Sequence, residues 1–140
     1  GYVQAKNGNW NESLVSFNEM KNLNIFYDKA DNYISIVNQN INRKQKNPTI
    51  AGLLSIVPGA GYYYTDNKET ALSSLLINSL LFYATANSIK NKNYGLATLT
   101  GIFSLSFYIG NIQGSVLRAK KMNKMDSESN LNKIKKNIRF

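Results

Sequence analysis

The 140-residue chain contains no cysteine and no histidine, and only two prolines. The first two absences remove disulfides, thiolate nucleophiles, imidazole bases and the commonest zinc ligands together. Most catalytic chemistry goes with them, so neither an enzyme activity nor a cofactor or metal site is expected. Acid is scarce too: 8 Asp and Glu stand against 17 Lys and Arg, a formal net charge of +9. Averaged over its length, such a chain reads as one basic soluble domain, since domains run to roughly 100–200 residues. The average hides a segregation. Charges crowd into 6–46 and 118–140, whereas only Asp66, Lys68, Glu69, Lys90 and Lys92 interrupt 47–117. The chain opens at Gly1 in helical text, as a processed or trimmed piece would, and a removed export signal stays open.

Residues 1–46 read as helical. Trp10, Leu14, Phe17 and Met20 fall at i, i+4, i+7 and i+10, one helix face. Asn9 or Asn11 is the expected cap, and Glu12 puts negative charge in the first turn, where the helix dipole favours it. Phe26, Ala30, Tyr33, Ile34 and Val37 repeat the pattern, so the two stretches predict an antiparallel helical hairpin. Trp10, Phe17 and Tyr33 are its candidate partner-binding residues. Gly8, Trp10, Ser13 and Phe17 resemble a tetratricopeptide repeat, with its turn glycine, following aromatic, and small residue and phenylalanine four apart. Ser13 replaces the usual alanine, and no proline closes the unit near Ile25. At most one and a half repeats are present, whereas a stable solenoid takes about three or more. The region should therefore lean on the membrane part, on a partner or on further repeats.

Three windows without Asp, Glu, Lys or Arg follow: Asn47–Thr65, Thr70–Ile89 and Asn93–Leu117. A helix crossing a membrane needs about 20 mostly apolar residues, and the second and third windows qualify. The polar loop 88–93 between them is short, so they must run antiparallel. Each also carries a narrow polar line: Ser74, Asn78 and Thr85 on one, Thr100, Ser104, Tyr108 and Asn111 on the other. Such groups seek partners across helix interfaces, at about 0.6 and up to 2 kcal/mol per contact. The two lines should thus face each other or the 47–66 segment. Gly95, Gly101, Gly110 and Gly114 add small residues for close approach, and Gly110 with Gly114 is a small-xxx-small match.

The first window, NPTIAGLLSIVPGAGYYYTD with Asp66, is different. Pro58 disfavours helix at Val57, and Gly59 and Gly61 permit backbone angles that other residues avoid. A straight span is excluded; a short helix, a turn and a return to the surface is expected. Backbone unpaired at depth is tolerated only under protein cover, so the turn should pack on the two spans. Tyr62, Tyr63 and Tyr64 suit the membrane interface. Gly59-Ala-Gly61 is no phosphate loop, because Tyr64 holds the third glycine position and no Gly-Lys-Ser/Thr is present.

Ala51-Gly-Leu-Leu-Ser55, Pro58-Gly-Ala-Gly61, Tyr64, Asn78, Phe107-Tyr108, Gly110-Asn111, Gly114 and Lys120-Lys121-Met-Asn123 occur in the order and spacing of a bacterial inner-membrane module. That module, AGLLS..PGAG..Y followed by FY.GN..G, is appended to tetratricopeptide-like repeats, and the chain from Pro48 to Asn123 resembles it. Thr65-Asp66 replaces the module's Asn-Gly. In layout the region is also similar to the short two-helix transmembrane domain with a glycine-rich entry. The resemblance implies a membrane hairpin carrying a repeat domain, no catalytic activity, and a repeat region outside the cytoplasm.

Charge points the other way on that last matter. Arg43, Lys44 and Lys46 precede the apolar windows and Arg118, Lys120, Lys121 and Lys124 follow them, so the positive-inside rule favours cytoplasmic termini. Orientation stays open. These last four cations would attract anionic headgroups, at about 1 kcal/mol per charge near the surface, and Leu131, Ile134 and Ile138 would edge an interfacial helix. The tail lacks interleaved aromatics apart from Phe140 and matches no nucleic-acid fold, so no nucleic-acid partner is expected. The expected fold is all-α: a repeat-like hairpin over 1–46, a broken entry segment and transmembrane hairpin over 47–117, and a basic juxtamembrane tail over 118–140. The function this favours is a non-enzymatic scaffold holding a protein-binding surface at the membrane. The rival is an accessory subunit of a translocation or transport assembly, with Asn78, Asn111 and Gln113 lining a path; no intramembrane charge is present to relay ions.

Overall fold

The computed structural model describes residues 1–24 and 27–138, without the side chains of Tyr27 and Ile138. Phe26 and Phe140 lie outside the described residues. Among these, all regular structure is helical, in seven helices and two compact units. The first unit comprises 1–45 and 123–140, the second 46–122.

In the first unit, α1 (Tyr2–Lys6), α2 (Trp10–Asn22) and α3 (Tyr27–Ile41) follow one another closely. Gly8, at φ +85, makes the turn from α1 into α2, a backbone angle that costs glycine little. Asn9 precedes α2, yet makes no capping bond; its Nδ2 donates instead to Glu12 Oε2 at 3.3 Å. Phe17, Tyr33, Ile36 and Val37 form the core with Ala5, and the rings of Phe17 and Tyr33 lie 5.0 Å apart. Burying a large apolar side chain contributes about 1.5–3 kcal/mol, so this small unit depends on each of them.

In the second unit, α4 (Pro48–Leu54) and α5 (Ala60–Tyr64) precede α6 (Lys68–Lys90). Asn47 caps α4, its side chain accepting from the Thr49 N–H at 2.8 Å, with Pro48 at the first helical position where its missing N–H costs nothing. Gly59 stands at φ +88 ahead of α5. The Pro58-Gly59 break therefore divides 47–66 into two short helices, the expected one before the turn and a second, α5, in which the tyrosines of the return are themselves helical. Asn67 and Asn93 supply side-chain acceptors at the starts of α6 and α7.

Helix α7 (Tyr94–Ile138) corrects the sequence reading of the tail. No glycine or proline follows Gly114, and the helix runs unbroken through 118–138 rather than yielding to a separate segment. Its end belongs to the first unit, where Ile134 is fully buried against the α2–α3 core and Leu131 packs beside it. Of the apolar edge foreseen there, Leu131 and Ile134 face protein, not lipid, and the Ile138 side chain lies outside the described residues. Asn130 Nδ2 donates to Asn40 Oδ1 at 3.0 Å, both residues buried, and Arg43 holds the Asn123 carbonyl at 3.1 Å and Asp126 at 3.4 Å.

Candidate functional site

Helices α6 and α7 are long and apolar enough to cross a membrane, and in the most apolar stretch of each only 11% of residues are buried within the protein. The apolar side chains of these two helices are thus left uncovered by the rest of the chain, unlike those of a soluble domain's core helix. Leu72, Leu80 and Tyr83 on α6, and Ile102, Leu105 and Ile109 on α7, are more than half exposed. Charge is confined to the ends of α6, at Lys68, Glu69 and Lys90.

Asn78, Ser104, Asn111 and Ser115 turn inward and are buried, whereas Ser79, Asn87, Thr98 and Gln113 are exposed. Ser74 Oγ donates to Asn111 Oδ1 at 2.6 Å, and the Thr85 and Ser104 hydroxyls share a bond of 3.2 Å, so two rungs join α6 to α7. Asn111 does more. Its Oδ1 also accepts from the Gly59 N–H at 3.1 Å and its Nδ2 donates to the Ser55 carbonyl at 3.0 Å. One buried amide thus satisfies the backbone of the break at Pro58-Gly59, the requirement that irregular backbone sets in an apolar medium. Ser55 Oγ donates to Ser115 Oγ at 2.6 Å, Ser115 Oγ to the Ala51 carbonyl at 3.1 Å, and Tyr108 Oη to the Ile56 carbonyl at 3.0 Å. Thr100 stands apart, bonding only to its own helix.

Asn78 is buried, and its Nδ2 donates back to the Ser74 carbonyl at 2.8 Å. Its Oδ1 is buried with no hydrogen-bond partner. The residue lines an open cavity of about 370 Å³ between α6 and α7, walled also by Tyr62, Ser73, Ser106 and Gly110. A Cβ on Gly110 would meet nothing, whereas one on Gly114 would strike the Tyr62 hydroxyl. The small-xxx-small pair is therefore divided, one glycine walling a cavity and the other receiving a tyrosine. Gly95 also has open space around it.

The three tyrosines have three roles. Tyr62 fills the Gly114 notch, Tyr63 is exposed and free to meet an interface, and Tyr64 is engaged. The Asn47 N–H donates to Tyr64 Oη at 3.0 Å, while Lys46 Nζ lies over the Tyr64 ring, donates to the Tyr64 carbonyl at 2.9 Å and pairs with Asp66 at 3.0 Å. Asp66 takes φ +57, the left-handed angle that Asn and Asp tolerate best after glycine. This clasp at the mouth of 47–66 is not evident from spacing; the signal was a lone acid closing a charge-free window that a lysine opens. Ser55 and Ser115 were likewise missed, being unremarkable residues until folding sets them face to face.

Of the candidate partner-binding residues, Phe17 and Tyr33 are buried in the core and Trp10 packs partly buried against it. They hold the first unit together instead of offering a surface. Among the described residues of that unit, the exposed large apolar side chains are Val3, Val15, Leu23, Ile41 and Met125, with Val3, Val15 and Leu23 the most exposed. Among the proposed headgroup ligands Lys120 and Lys121 are exposed, Lys124 pairs with Glu128 at 3.7 Å, and Arg118 is part-buried with its Nε unbonded. No group of acidic residues able to hold a metal occurs among the described residues. Comparison with protein-family models, with curated proteins and with solved structures found no match.

Proposed function

We propose that the chain is a non-enzymatic, membrane-anchored scaffold of the bacterial inner membrane, whose two-span hairpin fixes a repeat-like helical unit at the bilayer to bind another protein. The observation that carries it is the contrast between the two units: one has a conventional apolar core, while the other exposes its apolar side chains and buries the polar residues Asn78, Ser104, Asn111 and Ser115 instead. An inward polar, outward apolar arrangement is stable where the surroundings are hydrocarbon. The Gly8 turn followed by buried Ser13 and Phe17 supports the repeat-like reading. Exposed Val15 and Leu23 are then the surface for a protein partner, and Lys120 and Lys121 meet anionic headgroups.

Affinity capture from detergent-solubilised membranes tests this. A Val15→Asp, Leu23→Asp variant should stay in the membrane fraction and lose a specific protein that the unaltered chain retains. The accessory-subunit reading is favoured by one observation, the unpartnered Asn78 amide oxygen beside an open cavity. Under it, the complex survives the surface variant and is lost with Asn78→Leu. Orientation is read by protease protection of an N-terminal tag in spheroplasts.

A further inference from the structure

The segment 47–66 leaves and returns at one level, fixed by Lys46 against Asp66 and the Tyr64 carbonyl. Between those ends its bonds to α7 form a ruler of depth. Ser115 holds the Ala51 carbonyl, Asn111 the Ser55 carbonyl and Tyr108 the Ile56 carbonyl, each step further from Arg118. Tyr108 is ten residues from Arg118, about 15 Å at 1.5 Å per residue. That is half of a hydrocarbon core roughly 30 Å thick. On the other side Gly59 abuts Ala71, three residues or about 5 Å into α6 from Lys68. The tip therefore ends inside one half of the bilayer, with Leu53, Ile56 and Val57 each more than 60% exposed on its outer face. In the other half, α6 and α7 have only each other, joined at Thr85 and Ser104.

We propose that this unit is a one-leaflet wedge through which the protein senses and favours bilayer curvature, the segment Pro48–Tyr64 being covered by the lipids of a single leaflet. The proposal rests on the membrane reading above. Each helix with its side chains is about 10–12 Å wide. One leaflet thus accommodates four helical cross-sections and the other two, and the bilayer relieves this mismatch by bending convex towards the fuller leaflet. Insertion of apolar helix faces into one leaflet is curvature-dependent for the same reason. Lipid is the occupant the segment fits, because its outer face is uncharged and continuous with the apolar faces of α6 and α7.

The test reconstitutes the full chain into phosphatidylcholine–phosphatidylglycerol vesicles of two kinds, small sonicated and giant. External trypsin reports orientation, since Lys44 and Lys46 lie at one end of the hairpin and Lys90 and Lys92 at the other. The ratio of wedge-outward to wedge-inward protein should be severalfold higher in small vesicles than in giant ones. A Leu53→Asn, Ile56→Asn, Val57→Asn variant changes only exposed side chains and makes the outer face too polar for the segment to stay within the acyl region of its leaflet; its ratio should not depend on vesicle size. An equal ratio for the unaltered chain in both vesicles overturns the wedge, and so does a size dependence that persists in the variant. Release of the chain by alkaline extraction would instead overturn the membrane reading and the wedge with it.

Discussion

At the scale of single residues, Asn111 and Asn78 look equivalent in the sequence, each an amide on the polar line of an apolar window, and the structure separates them. Asn111→Leu strips partners from the Gly59 N–H, the Ser55 carbonyl and the Ser74 hydroxyl. A buried polar group left unpaired costs about 1–3 kcal/mol, so this variant should lose about 3 kcal/mol or more, read as a lowered melting point in detergent micelles. Asn78→Leu removes an amide whose oxygen already lacks a partner, and it leaves the Ser74 carbonyl its helical bond; the change should stay within about 1 kcal/mol of neutral. A large loss for Asn78→Leu in the isolated chain would contradict this. Tyr33 gives a pH dependence. Its desolvated phenol is held above the ordinary value, so its contribution is complete below the unfolded phenol pKa of about 10 and is lost as pH rises through the folded value. Above pH 10 the first unit's melting point should fall more steeply for the unaltered chain than for Tyr33→Phe.

Among the helices, the broken entry segment and the two helices long and apolar enough to cross a membrane were legible because their causes are local. Pro58 cannot continue a helix, Gly59 permits a left-handed angle, and a charge-free stretch has few other uses. The polar lines were legible as lines, since their period is a property of the helix. Which element each would meet was not, because Ser55, Ser115 and Tyr64 acquire their roles only through contacts 17 to 64 residues apart. The end of α7 shows the limit most directly. Leu131 and Ile134 mark an apolar edge in sequence, and such an edge reads the same whether lipid or protein covers it. The structure assigns it to the first unit's core, so Ile134→Ala should destabilise that unit by about 2–5 kcal/mol, the usual cost of a buried Ile to Ala cavity. Faster proteolysis within 1–45 would report it. An unchanged proteolysis rate would return the edge to lipid.

The molecule as a whole joins a helical unit with its own core to a hairpin whose exterior is apolar. The absence of cysteine makes this directly measurable, since any introduced thiol is the only one present. Four single variants decide it: Val3→Cys on the first unit, away from the proposed partner surface, Ile56→Cys at the tip of the broken segment, Leu80→Cys on α6 and Leu105→Cys on α7. All four side chains are more than half exposed in the protein itself, so packing within the chain does not shield them. Membranes opened to expose both faces, treated with a membrane-impermeant maleimide, should label Val3→Cys readily and the other three only after detergent is added. Labelling of Leu80→Cys and Leu105→Cys at the rate of Val3→Cys without detergent would contradict a membrane hairpin.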